Sequence, residues 1–128
     1  MEYVYSKAEL EQYGRQIILL YDGTTAGAGA TDTHTDAKFV GPYKEADFYI
    51  VCSAKSGTDP TLDVLVETKH PTLDKWFTIV TFAQLVDVGQ ERKVLAANLG
   101  DTIAIKKTVG GTVTPTFTFS VYAVVKAK

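Results

Sequence analysis

Residues 46–82 constrain the fold more than any other stretch, because side chains of two kinds alternate along it. Within residues 61–68 the apolar Leu62, Val64 and Val66 are each separated by one residue from the next. A period of two places these three side chains on one face of a β-strand. The stretch therefore predicts a sheet with one buried face.

Similar segments recur at spacings near 12 residues, with turn-forming residues between them, as at 56–60, 70–74 and 110–111. The last segment alternates most clearly, with Phe117 and Phe119 on the same side. The predicted strands are residues 15–21, 37–40, 47–54, 61–68, 76–82, 92–96, 102–108 and 116–125. We predict an all-β fold: an antiparallel β-sandwich of seven or eight strands, with jelly-roll and Greek-key topologies both open.

Two segments depart from this pattern. Residues 1–16 form a predicted arm with a short helix, since Ser6 and Glu9 fit a capping box and Gly14 suits a helix end. Residues 22–36 are rich in Gly and Thr and predict a mobile loop. The predicted organisation is an arm at 1–16 and one sandwich domain at 17–128 that carries the loop.

Bulk properties predict a single protein domain made in a cytoplasm. The chain has 128 residues and a mass of 13.9 kDa. No apolar run approaches the roughly 18 residues that span a membrane, and the N-terminus lacks the pattern of a signal peptide. Cys52 is the only cysteine. It lies in an apolar run, so we expect a buried and unreactive thiol.

Charge is distributed unevenly along the chain. Residues 1–90 carry 7 basic and 13 acidic side chains, whereas residues 91–128 carry 6 basic and 2 acidic ones. The pairs Arg92-Lys93 and Lys106-Lys107 account for most of the second excess. They could form a basic edge that meets an acidic partner, or simply a solvated strand face, which is the favoured interpretation. Nucleic-acid binding is not indicated, because exposed aromatic residues do not alternate with the basic ones.

Catalytic and metal-binding chemistry is not indicated either. Asp32, His34 and Asp36 have a spacing compatible with metal ligands, but no fourth ligand is adjacent, so a polar loop is favoured over a metal site. No nucleophile motif or nucleotide-binding loop occurs. Carboxylates such as Asp63 and Glu67 are expected to face solvent. We expect no catalytic residues, no metal and no cofactor.

Trp76 allows two interpretations. It could pack in the core at the start of a strand, or it could form an aromatic platform for sugars together with Tyr49 or Tyr122. The core position is favoured.

Several motifs resemble a known group of proteins. They are the segment 57–64 (GTDPTLDV), the hairpin residues 74–76 (DKW), residues 82–84 (FAQ) and the closing segment 110–121 (GGTVTPTFTFSV). In this order they resemble the small β-sandwich structural proteins of tailed bacteriophages, most closely the head decoration, or cement, proteins. The resemblance spans roughly residues 45–125, and Asp59 stands where the family pattern has Ser.

The resemblance implies a non-enzymatic virion protein on the capsid surface. Its partners would be the major capsid protein and further copies of itself, with a homotrimer expected. No nucleic-acid or membrane partner is implied. A tail or baseplate accessory protein and a carbohydrate-binding module remain alternatives. The expected partner-binding residues are Tyr3, Tyr5, Leu10, Tyr13, Thr24, Thr25, His34, Arg92, Lys93, Lys106 and Lys107.

Overall fold

The computed structural model describes residues 14–26, 30–31, 34 and 36–127, which form seven strands and no helix. All pairings between these strands are antiparallel, and all belong to one hydrogen-bonded sheet. The strands are β1 (Arg15–Ala26), β2 (Ala30–Thr31), β3 (Lys38–Phe39), β4 (Glu45–Lys69), β5 (Trp76–Thr81), β6 (Gly89–Leu95) and β7 (Thr102–Lys126).

Two long strands form the centre of the sheet. β4 and β7 each contain 25 residues and pair with each other from Glu45↔Lys126 at one end to Thr68↔Ile103 at the other. At one end β1 pairs with β7 and β6 pairs with β4. At the other end β2 and β3 pair with β7 and β5 pairs with β4. Every other strand is therefore attached to one of these two.

The sheet divides at a bend into two parts. The first half-sheet has the strand order β1-β7-β4-β6 and contains residues 45–56 of β4 and 116–126 of β7. The second half-sheet has β2 and β3, then β7, β4 and β5, and contains residues 58–69 of β4 and 102–112 of β7.

The two half-sheets face each other across one hydrophobic core. Phe48 and Phe119 of the first half-sheet and Val66 and Ile105 of the second are buried members of the same cluster. Contact across the core is also direct, because the Lys107 ammonium of the second half-sheet lies 4.5 Å from the ring centroid of Tyr21 in the first. Burying each large apolar side chain here contributes about 1.5–3 kcal/mol.

The bend consists of bulges and left-handed backbone. The β4–β7 register shifts at Cys52/Ala54, Ser56/Thr58 and Thr58/Thr61. Gly57 (φ +101°) and Gly111 (φ +118°) have the left-handed conformations that favour glycine. The prediction that residues 56–60 and 110–111 form turns between separate strands is therefore wrong. These residues bend β4 and β7, which continue on both sides of the bend.

The all-β antiparallel class is confirmed, as is the burial of Leu62, Val64 and Val66 on one face of their strand. The predicted sandwich of separate sheets is not shown, because β4 and β7 run continuously through both half-sheets. Cys52 is buried, as expected.

The predicted loop at 22–36 is wrong in its first part. β1 continues to Ala26, and its residues 22–26 pair with residues 116–120 of β7. The Thr24 and Thr118 hydroxyls lie 2.8 Å apart across this pair. Threonine suits an extended strand through its branched Cβ, which explains why a Gly/Thr-rich segment can continue a sheet.

The predicted arm falls mostly outside the described residues. Its helix and the residues Tyr3, Tyr5, Leu10 and Tyr13 lie within 1–13. Gly14, the predicted helix end, has φ +74°, and its carbonyl accepts a hydrogen bond from the Ala127 amide. Arg15 and Gln16 belong to β1 and not to an arm. Among the described residues there is no helix with the length and hydrophobicity to cross a bilayer.

Replacing Gly57 with alanine tests the bend. A Cβ at residue 57 would lie 2.7 Å from Pro115 Cα, and φ +101° disfavours any L side chain. We expect Gly57→Ala to lower the free energy of unfolding by roughly 1–3 kcal/mol. Urea denaturation followed by tryptophan fluorescence measures the change.

Gly89→Ala is the matched control, because its Cβ would meet only Leu85 Cδ2 at 3.8 Å. We expect it to change stability by less than about 1 kcal/mol. Equal stabilities of the two variants would contradict the strained bend.

Candidate functional site

The outer face of the first half-sheet carries a group of exposed apolar side chains that extends across four strands. One row across its four strands contains Leu19, Tyr122, Tyr49 and Arg92, as the β1–β7, β7–β4 and β4–β6 registers place them side by side. The next row contains Ile17, Val124, Asp47 and Val94. Val51 of β4 lies beside the first row on the same face. We call Ile17, Leu19, Tyr49, Val51, Val94, Tyr122 and Val124 the outer apolar face.

Much of this face is accessible to solvent. Ile17 and Leu19 are 42% and 43% exposed, Tyr122 is 37% exposed and Val94 is 59% exposed. Single exposed apolar residues are normal, but a contiguous group across four strands is typical of an interaction surface. The face therefore has the composition of a binding site for another macromolecule.

A buried carboxylate lies within the outer apolar face. Asp47 is only 6% exposed, and its Oδ2 accepts hydrogen bonds from Arg92 Nη2 at 3.0 Å and from Lys126 Nζ at 3.2 Å. Burial raises the pKa of Asp47, but these hydrogen bonds and the two positive charges outweigh it and hold the pKa below 3.8. The Arg92 guanidinium also lies 5.9 Å from the Tyr49 ring centroid.

This cluster fixes the position of Arg92. Arg92 is anchored by Asp47 at one end of its guanidinium, while half of its side chain stays exposed. With Arg92 and Lys126 around one carboxylate, the cluster carries a formal excess of one positive charge. Asp47 Oδ1 is buried and accepts no hydrogen bond from the described residues. The apolar face thus surrounds a positioned cationic group.

The outer face of the second half-sheet is different, because His34 covers part of it. His34 Nε2 lies 2.5 Å from Glu67 Oε1, and the Thr78 hydroxyl donates to Glu67 Oε2 at 2.7 Å. In the β4–β7 register, the small Ala104 lies opposite Glu67. Glu67 is therefore 8% exposed, and the prediction that it faces solvent is wrong.

The charge of Glu67 is stabilised in this position. Burial raises its pKa, but hydrogen bonds from Thr78 and His34, together with the charges of His34 and Lys106, outweigh the burial and lower the pKa below 4.5. His34 and Lys106, both expected to bind a partner, are thus brought together at one carboxylate of the same chain.

Trp76 stacks on the same histidine. The Trp76 and His34 ring centroids are 4.1 Å apart and the ring planes are nearly parallel, at 1°. Trp76 is half-buried and lies outside the core cluster, so the predicted core position is wrong. The proposed sugar platform is not assembled either, because Trp76 is in the second half-sheet whereas Tyr49 and Tyr122 pair in the first.

The predicted basic pairs are split by strand geometry, because consecutive strand residues point to opposite faces. Arg92 lies on the outer apolar face, while Lys93 approaches Glu91 at 3.5 Å. Lys106 is partly exposed, but Lys107 is buried over Tyr21. A solvated strand face is therefore the wrong interpretation for Lys107.

The two predicted threonine contacts also diverge. Thr24 lies on the outer face of the first half-sheet beside Thr118, whereas the Thr25 hydroxyl is 2.7 Å from the Tyr21 hydroxyl. Of the residues expected to bind a partner, Thr24 and Arg92 share the outer face of the first half-sheet. No contact was predicted for Ile17, Leu19 or Val94. Their alternation with half-buried neighbours along β1 and β6 could have indicated an exposed apolar strand face.

Metal-binding geometry is not found in the described part of the chain, where no group of three or more His, Cys, Asp or Glu side chains converges. His34 is directed to Glu67, and Asp32 of the proposed ligand set lies outside the described residues.

Neither a protein-family model, nor a curated protein, nor a solved structure matches this chain.

A pH series on Glu67→Gln tests the buried carboxylate. Since the folded pKa of Glu67 is below its ordinary value of 4.5, the ionised form stabilises the fold above pH 4.5, and this stabilisation is lost as the pH falls through the folded pKa. We expect Glu67→Gln to lower the free energy of unfolding by roughly 1–3 kcal/mol at pH 7. The difference from wild type should shrink steadily below pH 4.5.

Asp74→Asn is the control. Asp74 pairs with Lys69, and the Asp74 side chain is 93% exposed. Exposed ion pairs contribute little, so this variant should stay within about 1 kcal/mol of wild type at each pH. A Glu67→Gln deficit that is the same at pH 7 and pH 3 would contradict a stabilising charge at residue 67.

Proposed function

We propose that this chain is a non-enzymatic structural protein of a tailed-phage virion, which self-associates and binds the outside of the capsid. The observation that supports it best is the outer apolar face, which extends across all four strands of the first half-sheet. Such a face suits a protein whose activity consists of surface contact.

The chemistry of the face fits protein–protein contact. Tyr49, Tyr122 and Arg92 occupy its middle row, and Tyr and Arg are enriched among residues that dominate binding energy. Arg92 is held by Asp47 before any partner binds, so little side-chain entropy would be lost on association. An acidic group on the partner surface would complement the excess positive charge of the Asp47 cluster.

The proposed location on the capsid rests on the motif resemblance. Segments 57–64 and 110–121, which carry most of the resemblance to head decoration proteins, include the bend glycines Gly57 and Gly111 and the adjoining parts of β4 and β7. The resemblance thus bears on the element that creates the fold. A tail or baseplate accessory protein is the alternative within the same class.

Capsid binding tests the proposal through Tyr122. We expect Tyr122→Asp to weaken binding to empty heads of the phage that encodes the chain by at least about tenfold, because a buried unpaired charge costs more than 1.4 kcal/mol. Co-sedimentation with the heads, at a series of protein concentrations, measures the affinity. Leu73→Asp is the control, since Leu73 is also exposed, at 53% against 37% for Tyr122, but lies in the β4–β5 connection.

Two results would contradict this proposal. One is equal head binding by Tyr122→Asp and wild type. The other is failure of wild type to bind heads while it binds glycans on an array through Tyr122. The second result would favour the carbohydrate-binding alternative, for which the direct Tyr49↔Tyr122 pairing is the supporting observation.

Removing residues 1–13 tests the expected contacts of Tyr3, Tyr5, Leu10 and Tyr13. We expect the truncated chain to keep its fold, because the buried core that the described residues form lies within residues 20–125. Head binding should fall by about tenfold or more, since aromatic anchors often contribute over 1–2 kcal/mol each. Circular dichroism checks the fold, and unchanged head affinity would exclude these four residues as contacts.

A further inference from the structure

Among the described residues, β1 is an edge strand of the sheet. It pairs with β7 along its whole length and with no other strand among the described residues. A groove of about 300 Å³ runs along this edge and is lined by Gln16, Ile17, Ile18, Leu19, Lys38 and Phe39. Phe39, on the opposite wall, is 71% exposed.

Two common protections of an edge strand, proline and charged side chains, are absent from the middle of β1 itself. Between Arg15 and Asp22 the strand contains no proline and no charged residue. Natural proteins commonly place lysine or proline at such edges to prevent association with another strand. A strand of 12 residues with an unprotected apolar middle is a template for strand addition.

The outward-facing side chains of β1 form a self-complementary pattern. In chain order they are Arg15, Ile17, Leu19 and Asp22. The register shift between Leu19 and Tyr21 inserts one extra residue, so Leu20 and Tyr21 together occupy the place of one. The outward positions therefore follow at even intervals, with a positive charge, two apolar side chains and a negative charge.

We propose that β1 pairs antiparallel with β1 of a second copy of this chain about a two-fold axis through Ile18. In this register Ile17 lies opposite Leu19 of the second copy, and Arg15 lies opposite Asp22 of the second copy. The two-fold axis repeats both contacts, so each interface holds two charge pairs and two apolar pairs. The first half-sheets of the two copies, with their outer apolar faces, then join into one continuous surface.

These charges favour pairing of β1 with β1 of a second copy over pairing of β1 with a different edge strand of that copy. The pairing of β1 with β6 of a neighbour would place Asp22 opposite Arg92, but Arg92 already binds Asp47. It would also leave Arg15 opposite an uncharged residue. Pairing of β1 with itself matches both charges of the strand, and an isologous contact closes after two copies.

The inference rests on the self-association in the proposed function and names the surface that performs it. Charge reversal tests it. We expect wild type to sediment with twice the 13.9 kDa chain mass. Arg15→Asp and Asp22→Arg should each weaken the dimer by at least about tenfold, since like charges then lie opposite each other. The double variant should restore the affinity to within about threefold, since opposite charges face each other again.

Two controls separate this contact from other effects. Ser120→Ala removes the hydrogen bond from the Ser120 hydroxyl to Asp22 Oδ1 and should leave the dimer unchanged. Gln90→Lys changes an exposed residue of β6, the other edge of the first half-sheet, and should also leave it unchanged. Loss of association in Gln90→Lys, without loss in Arg15→Asp, would overturn the proposal in favour of β1–β6 pairing.

A cysteine pair tests the register. When Ile17→Cys and Leu19→Cys are mixed and oxidised, we expect a cross-linked heterodimer in clear excess over the homodimers of either variant, because opposed residues in antiparallel strands have Cβ atoms within disulfide reach. Buried Cys52 remains in place. Cross-linking no greater than in either variant alone would overturn this register.

The mass measurement also separates this proposal from the proposed function. A trimer whose mass is insensitive to Arg15 and Asp22 overturns the β1 contact but agrees with self-association. A monomer overturns both the β1 contact and self-association. Head binding by that monomer would still support the capsid role.

Discussion

The pairing of β4 with β7 along nearly their whole length is the constraint on which the structure depends. Each of the other five strands pairs with one of these two, so none has a place in the sheet without them. The bend at Gly57 and Gly111 turns one long ribbon into two facing layers and creates the core. Both layers share the same two strands, so a change in the bend affects core packing on both sides.

The sequence predicts the strands of this fold better than their connections. Alternation at residues 62–66 and at 117–125 identifies the buried face correctly, because one buried face produces a period of two wherever it occurs. Gly57 and Gly111 carry a real signal for left-handed backbone, but a turn and a bulged bend need the same φ values. Only the partner strand, which continues past both glycines, decides between them, and its register is not a local property.

The candidate site is less predictable, because burial on an outer face depends on residues far away in the chain. Glu67 occupies an outward position of β4 and is buried only because His34, 33 residues earlier, reaches it. The same histidine stacks on Trp76, which the β4–β5 register places opposite Lys69, on the face that carries Glu67. Arg92 was predicted as a possible partner contact, but its anchor Asp47 is 45 residues away and has no sequence signal.

The two outer faces of the molecule differ in how the surroundings of their buried carboxylates are covered, and this difference argues for one binding surface. Each contains a buried carboxylate, Asp47 or Glu67, that is held by cationic or hydrogen-bonding side chains. Around Glu67 the chain supplies its own cover, since His34 contacts the carboxylate and Ala104, opposite Glu67, is buried. Around Asp47 the apolar side chains of β1, β6 and β7 stay exposed. Exposed apolar area costs free energy in water that a partner can recover, so the first half-sheet is the surface with a physical reason to be covered.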